Sequence, residues 1–346
     1  MAQELQVTDL FFDYDLPDHL IAQQPAAERD ASRLLVVDRT TGNLSHRHFR
    51  NLPSLLAPND LLVLNDTKVL PARLVGRRAG TGGRWESLYL GETEGVWELL
   101  AQTRGYAQPG ERFTTDSGLT LELVGRTDDR HWRMRPDPPG TAAELLPAHG
   151  SIPLPPYIRK GTAGEADRDR YQTVYAARTG SVAAPTAGLH FTPALFDRLT
   201  TAGVRTARVT LHVGLGTFAT VTGDPLAHRI HAEWCEVTPA AVEAVREAKA
   251  AGGRVVGVGT TTARTLEAAA TSGTVQPFRG DNALFVRPGH HFHALDGLVT
   301  NFHLPRTTLL LLVQSLTGPD LLRRAYTEAI AAGYRFYSYG DAMLIV

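Results

Sequence analysis

Apolar and polar positions follow two different rhythms along this chain. Between residues 72 and 150 they alternate in short runs, at 84–90, 96–102, 119–124 and 131–135. Turn signals separate these runs at Gly82-Gly83, 92–95, Pro109-Gly110 and Asp128-Asp129. A period of two marks strands with one buried face. With no convincing helical period in the region, it predicts a small antiparallel β-domain, a barrel or a sandwich.

On either side the pattern changes to apolar runs separated by helical periods. Strands are expected at 34–37, 60–64, 208–213, 254–258, 283–286, 298–300, 334–339 and 342–346. Thr192-Pro193 reads as an N-cap with proline in the first turn, and Leu195, Phe196 and Leu199 form one apolar face before Gly203. Thr238-Pro239 starts a second helix that Gly252-Gly253 ends, and further helices are expected at 263–270, 306–316 and 319–331. Strands alternating with helices imply a mostly parallel or mixed sheet with helices on both faces. The expected fold class is α/β, a mixed sheet layered with helices, plus an inserted small antiparallel β-barrel. Residues 1–71 and 151–346 would make the α/β domain and 72–150 the insertion.

A chain of 346 residues with 43% hydrophobic and 21% charged residues has enough material for two globular cores. The formal net charge of −1 argues against a generally basic nucleic-acid coat and leaves room for a local basic patch. Cys235 is the single cysteine, so an intrachain disulfide and a cysteine-based zinc site are excluded, and the residue reads as a small buried hydrophobe. The first ten residues lack a basic segment followed by a long apolar run. The longest aliphatic run, 309–313, falls far short of the roughly 20 residues of a membrane span. A soluble cytoplasmic protein is expected, with no membrane partner.

Candidate chemistry gathers near strand ends. V-T-L-H-V-G-L-G-T-F at 209–218 runs a strand into Gly214 and Gly216, delivering His212 just before a sharp turn; a satisfied core histidine is the alternative. Asp66 and Lys68 follow the strand 60–64, where open α/β sheets place their sites, and either act on a substrate or pair with each other. The polar cluster 28–33, ending in Arg33, positions a ligand or forms a salt-bridged turn. His190 follows a run of small residues, and His303 lies in T-N-F-H-L-P-R with Asn301 and Arg306. Histidine suits proton transfer near neutral pH, worth roughly 10²–10⁴ in rate.

His228, His231 and Glu233 form an H-x-x-H-x-E word that resembles a metal-ligand pattern, but its spacing is not that of a recognised zinc helix. Gly257–Thr262, G-V-G-T-T-T, offers backbone N–H groups and the hydroxyls of Thr260, Thr261 and Thr262 to an anion at a helix start, or caps that helix. It lacks the last glycine of a dinucleotide fingerprint and the lysine of a P-loop, so a small carboxylate or phosphate fits better. The charged loop 159–170 and the segment 46–50 could contact RNA, as could Arg159 and 168–171 with Tyr171 as a stacking ring, or be solvated surface.

Taken together these segments resemble the S-adenosylmethionine:tRNA ribosyltransferase-isomerases of queuosine biosynthesis. The matching words are E-R-D-A-S-R-L-L-V-V-D-R at 28–39, L-L-V-L-N-D-T-K-V-L-P-A-R-L at 61–74 and P-L-P-P-Y-I at 153–158. They continue with R-Y-Q-T-V-Y-A at 170–176, A-A-P-T-A-G-L-H-F-T at 183–192 and T-L-H-V-G-L-G-T-F at 210–218. The last are V-G-T-T-T-A-R-T-L-E at 258–267, T-N-F-H-L-P-R-T-T-L-L at 300–310 and Y-R-F-Y-S-Y-G-D-A-M-L-I at 334–345. Lys68 stands where arginine is frequent and Ile230 where methionine is usual.

The resemblance implies a transferase. The ribosyl part of S-adenosylmethionine moves to the aminomethyl group of a 7-deazaguanine base at the tRNA wobble position and isomerises, giving epoxyqueuosine, adenine and methionine. No cofactor and no metal are implied, S-adenosylmethionine being a co-substrate, and a monomer is expected. Under that reading His212 or the His228/His231/Glu233 cluster supplies the base. His303, counted among the catalytic residues, joins Asn301 and Arg306 in orienting ribose or phosphate, Thr260, Thr261 and Thr262 hold the methionine carboxylate, and Arg33, Asp66, Lys68, Tyr171 and His190 complete the substrate contacts. The competing readings are a metal-dependent hydrolase on His228, His231 and Glu233, and a non-catalytic RNA-binding module.

Overall fold

The computed structural model describes residues 10, 11, 13–214, 221, 223–225, 228 and 230–346. Two compact units divide it, Met1–Lys68 with Gln172–Val346, and Val69–Tyr171. In chain order the strands and α-helices begin with β1 (Arg33–Val37), β2 (Leu44–His48), β3 (Leu61–Asn65) and β4 (Thr67–Val69). The second unit carries β5 (Arg73–Arg78), β6 (Arg84–Thr93), β7 (Val96–Thr103), β8 (Arg112–Thr115), β9 (Thr120–Arg126) and β10 (Trp132–Asp137), then α1 (Ala142–His149) and α2 (Asp167–Arg170). The larger unit resumes with β11 (Arg178–Ser181), α3 (Pro193–Thr201), β12 (Arg205–Leu211), β13 (Glu233–Val237), α4 (Pro239–Ala250) and β14 (Val255–Val258). It ends with α5 (Thr260–Ala268), β15 (Phe278–Asn282), β16 (Gly297–Asn301), α6 (Thr308–Thr317), α7 (Pro319–Ala331) and β17 (Ala342–Ile345).

The larger unit is built on a nine-stranded mixed sheet in the order β15-β13-β12-β3-β14-β16-β17-β1-β2. Its centre, β12, β3, β14 and β16, is parallel. Strands β3 and β14 read as near-continuous apolar runs because both faces are covered. Leu61 and Val63 join one core with Val245 of α4, Leu266 of α5 and Leu312 of α6. Leu62 and Leu64, one residue out of phase, join the other with Leu195 and Leu199 of α3 and Phe49. The two expected helix starts are present: Thr192 Oγ1 accepts from Leu195 N at 3.1 Å, and Thr238 Oγ1 from Ala241 N at 3.2 Å.

The second unit is a closed antiparallel barrel in the order β10-β7-β6-β5-β8-β9. Alternation buries Trp85, Trp97, Phe113, Leu121 and Met134. Gly76 permits closure, since a Cβ there would lie 2.1 Å from the Thr114 carbonyl oxygen.

Several local expectations are corrected. Strand β15 lies at Phe278–Asn282 rather than 283–286. Residues 334–339 contain an isolated bridge from Phe336 to Ile21 and then turn, with Tyr337 at φ +76°. Strands β5 and β8 escaped the alternation because they are short and polar, and α1 forms in the stretch read as free of helix. The smaller unit continues past 150 because Arg73 pairs with Ser151 and its Nη1 donates to the Gly161 carbonyl at 2.8 Å. Among the described residues no helix is long and apolar enough to cross a membrane.

Candidate active site

Parallel strands bring their C-terminal ends to one edge of a sheet, the usual place for a site. Here Asn65, Leu211, Val258 and Asn301 end β3, β12, β14 and β16 at that edge. A small cleft opens there. Its walls include Pro185, Thr260, Thr261, Thr300, Asn301, Phe302, His303, Tyr337 and Ser338. Among the described residues that line it there is no aspartate, glutamate, lysine or arginine.

One wall is the start of α5. Gly259 caps it at φ +88°, a backbone conformation that glycine adopts without strain. The first-turn amides of a helix have no intrahelical acceptor and carry the positive end of its dipole. Thr261 Oγ1 accepts from Asn65 Nδ2 at 3.2 Å, which leaves its own proton for a ligand. Thr262 does not face the cleft as expected: its hydroxyl donates back to the Val258 carbonyl at 2.8 Å. Asn65, which the sequence reading passed over for Asp66, organises this corner. Its Nδ2 also donates to Leu211 O, and its Oδ1 accepts from Leu211 N and Thr67 N.

The opposite wall is Thr300–His303 with the 337–338 turn. Asn301 Nδ2 donates to Tyr337 O at 2.8 Å and to Ser338 O at 3.3 Å. Its Oδ1 therefore faces His190 Nε2, at 3.2 Å, and the other imidazole nitrogen meets Ser32 Oγ at 2.9 Å. Burial pushes the His190 pKa down to about 4, with the Asn301 contact acting in the opposite sense. His303 is pushed down to about 3 by burial alone, and its Nε2 lies 2.8 Å from Thr300 Oγ1. Both imidazoles are neutral at physiological pH. Tyr337 is an aromatic residue in the left-handed region, a strained conformation held by Asn301 and by its own N–H to Phe302 O at 3.0 Å.

The expectation that His212, His231 and Glu233 share a pocket with Thr261 and Asn301 is not met among the described residues. Strand alternation sends Val213 to the cleft and His212 to the other face. There His212 stacks on Trp234 at 5.0 Å, meets Thr67 Oγ1 through Nδ1 at 2.8 Å, and packs against Gly180, where a Cβ would lie 2.7 Å from Nε2. Burial, then the Arg178 cation, lower its pKa, against Asp66. Glu233 is buried against Arg264, with its other oxygen accepting from Gly214 N at 2.9 Å. His228 meets Phe285 edge-on and His231 is exposed. Among the described residues no three His, Cys, Asp or Glu side chains converge as metal ligands. Gly216 lies outside the described residues.

The remaining candidates lie outside the residues that line the cleft. Asp66 Oδ1 accepts from Thr210 Oγ1 at 2.6 Å, and Lys68 is exposed. Arg33 lies over the Tyr334 ring at 3.8 Å and donates to Ala332 O. Arg306 pairs with Asp13 at 2.6 Å. Tyr171 is buried in the barrel unit and Phe49 in the sheet core, so neither offers a free ring to a base. His46 is likewise engaged, with Tyr334 and Glu328.

A model of the queuosine biosynthesis protein family matches residues 10–345. The chain belongs to that family. It is 50% identical over 345 residues to the S-adenosylmethionine:tRNA ribosyltransferase-isomerase of Symbiobacterium thermophilum, covering 97% of this chain and 98% of the relative. The protein of the same name from Geotalea uraniireducens is 47% identical, over 99% of this chain and all of its own. Among solved structures, the S-adenosylmethionine tRNA ribosyltransferase of Thermotoga maritima matches with a TM-score of 0.57 and 38% identity, covering 97% of this chain and 99% of that one.

Proposed function

We propose that this chain transfers and isomerises the ribosyl part of S-adenosylmethionine onto the 7-aminomethyl-7-deazaguanine base at the tRNA wobble position, releasing adenine and methionine. The observation that carries this reading is near-full-length identity of about half to relatives bearing that enzyme's name. The cleft's chemistry supports it. A sulfonium substrate is cationic, and the walls present neutral imidazole and hydroxyl groups rather than a competing cation. The first-turn amides of α5, with Thr260 and Thr261, suit the methionine carboxylate.

In this reading the Thr300–His303 pair hydrogen-bonds the ribose hydroxyls, and Tyr337 and Phe302 supply an apolar wall. Asn301 fixes that wall. His212, His228 and His231 remain candidates for the base only if the substrate reaches beyond the described walls. A cytoplasmic monomer acting on tRNA is the proposed setting. Incubation of the purified chain with S-adenosylmethionine and precursor-bearing tRNA, followed by nucleoside analysis, tests the reading. Adenine release with epoxyqueuosine formation is expected; neither product forming would overturn it.

A further inference from the structure

One edge of the barrel carries arginines that no carboxylate neutralises. Arg77 on β5 lies directly across from Arg84 on β6. Trp85 pairs with Thr103 on β7, so the same row continues to Arg104 just beyond that strand. All three residues are exposed. Neighbouring strands are about 4.8 Å apart, and like charges facing one another across them destabilise the sheet.

The carboxylates nearby are already engaged. Glu86 pairs with Arg73 at 2.7 Å and Glu111 with Arg78 at 2.5 Å. Arg77 Nη1 donates to the Gly82 carbonyl at 3.1 Å, and none of Arg77, Arg84 and Arg104 forms an ion pair among the described residues. Arg78 then staples the adjoining loop, donating to Arg104 O and Tyr106 O, both at 3.1 Å. That loop presents Tyr106, 73% exposed, with the Arg126 guanidinium 4.9 Å from its ring centre. Arg126 also donates to Ala107 O at 2.7 Å and acts electrostatically on Glu111.

We propose that this barrel edge is an RNA-contact surface. Arg77, Arg84 and Arg104 would meet backbone phosphates, and Tyr106 would stack an unpaired base. An uncompensated arginine row is costly in isolation and favourable against a polyanion, and an exposed ring beside it matches how unpaired RNA is held. The inference rests on the tRNA-modifying reading and adds where the barrel unit touches its substrate.

The test uses the full chain with an Arg84→Gln/Arg104→Gln double variant, a Tyr106→Ala variant and, as control, Arg133→Gln on β10, whose register partner is Glu98. The double variant should raise KM for precursor-bearing tRNA about tenfold and lower the salt slope of tRNA binding by about two, one per phosphate contact. KM for S-adenosylmethionine should stay unchanged, and Tm should hold or rise as like charges are removed. Tyr106→Ala should weaken tRNA binding about fivefold or more, even at high salt. An unchanged tRNA KM and salt slope in the double variant, with a wild type that turns over, would overturn this inference alone. A wild type that neither binds tRNA nor releases adenine would overturn the functional reading together with it.

Discussion

His190 and Asn301 lock each other at the back of the cleft, with Nε2 3.2 Å from Oδ1. Because both Asn301 amide hydrogens are spent on Tyr337 O and Ser338 O, its oxygen must accept, and His190 must carry its proton on Nε2. The amide that was expected to orient ribose is instead almost fully occupied in holding a strained turn.

His190→Phe keeps the stack on Phe49 but removes the donor to Asn301, while the Ser32 hydroxyl keeps the Arg29 carbonyl as acceptor. Leaving the buried Asn301 oxygen without a partner costs about 1–3 kcal/mol. Urea denaturation should register that loss, together with a reduced kcat as the Tyr337 turn relaxes. An unchanged midpoint and rate would show that the lock carries no weight.

Acid should weaken the fold through His190 and His303. Each is neutral when folded, with pKa lowered by burial to about 4 and about 3, and titrates near 6.5 when unfolded. Below 6.5 the unfolded chain takes up protons that the folded chain refuses. The stabilisation is therefore complete above about 6.5 and is lost as pH falls toward the folded values, on the order of 3 kcal/mol for His190 and about 5 kcal/mol for His303. Denaturant midpoints measured from pH 8 to 4 should fall most steeply below 6.5, and His190→Phe should flatten the curve.

Thr261 and Thr262 are neighbours with opposite prospects. Thr261→Val removes a hydroxyl from the cleft wall and should raise KM for S-adenosylmethionine about tenfold, the worth of one hydrogen bond to a charged group. Thr262→Val loses only a bond to the Val258 carbonyl and should leave that KM within about twofold. Equal effects would contradict the placement of the two side chains.

Glu233→Gln should act on stability before chemistry. It strands the buried Arg264 guanidinium, and breaking such a pair costs about 3–5 kcal/mol. A urea titration should show the drop, while enzyme that remains folded releases adenine. Loss of turnover at undiminished stability would return Glu233 to the role of base.

The sequence made some of this legible and hid the rest for physical reasons. Continuous apolar runs such as 61–64 announced strands covered on both faces, and Thr-Pro pairs announced helix starts, because both signals are local. The cleft's Thr-Thr and Asn-Phe-His words could be read because they follow strand ends. What stayed hidden was pairing at a distance. Glu233 looks like a free carboxylate until Arg264, 31 positions away, is brought against it. His212 looks like a cleft residue because it precedes the turn that follows β12; counting the two-residue period from Val213, which does line the cleft, would have turned it outward. Residues 334–339 carry aromatic β-formers, yet Asn301 and Gly340 bend them into a turn, since a Cβ at 340 would lie 2.4 Å from Arg335 O.

The order of strands in the main sheet has a consequence for synthesis on the ribosome. Strand β3 has no sheet neighbour until β12 and β14 emerge, and β1 waits for β17, as Arg33 waits for Asp341, 308 positions away. The barrel closes entirely from nearby strands and can be finished while β3 still offers two bare hydrogen-bonding edges. A nascent chain stalled between the barrel and β14 is thus a folded bead tethered to an adhesive ribbon, and chaperone demand should peak in that interval.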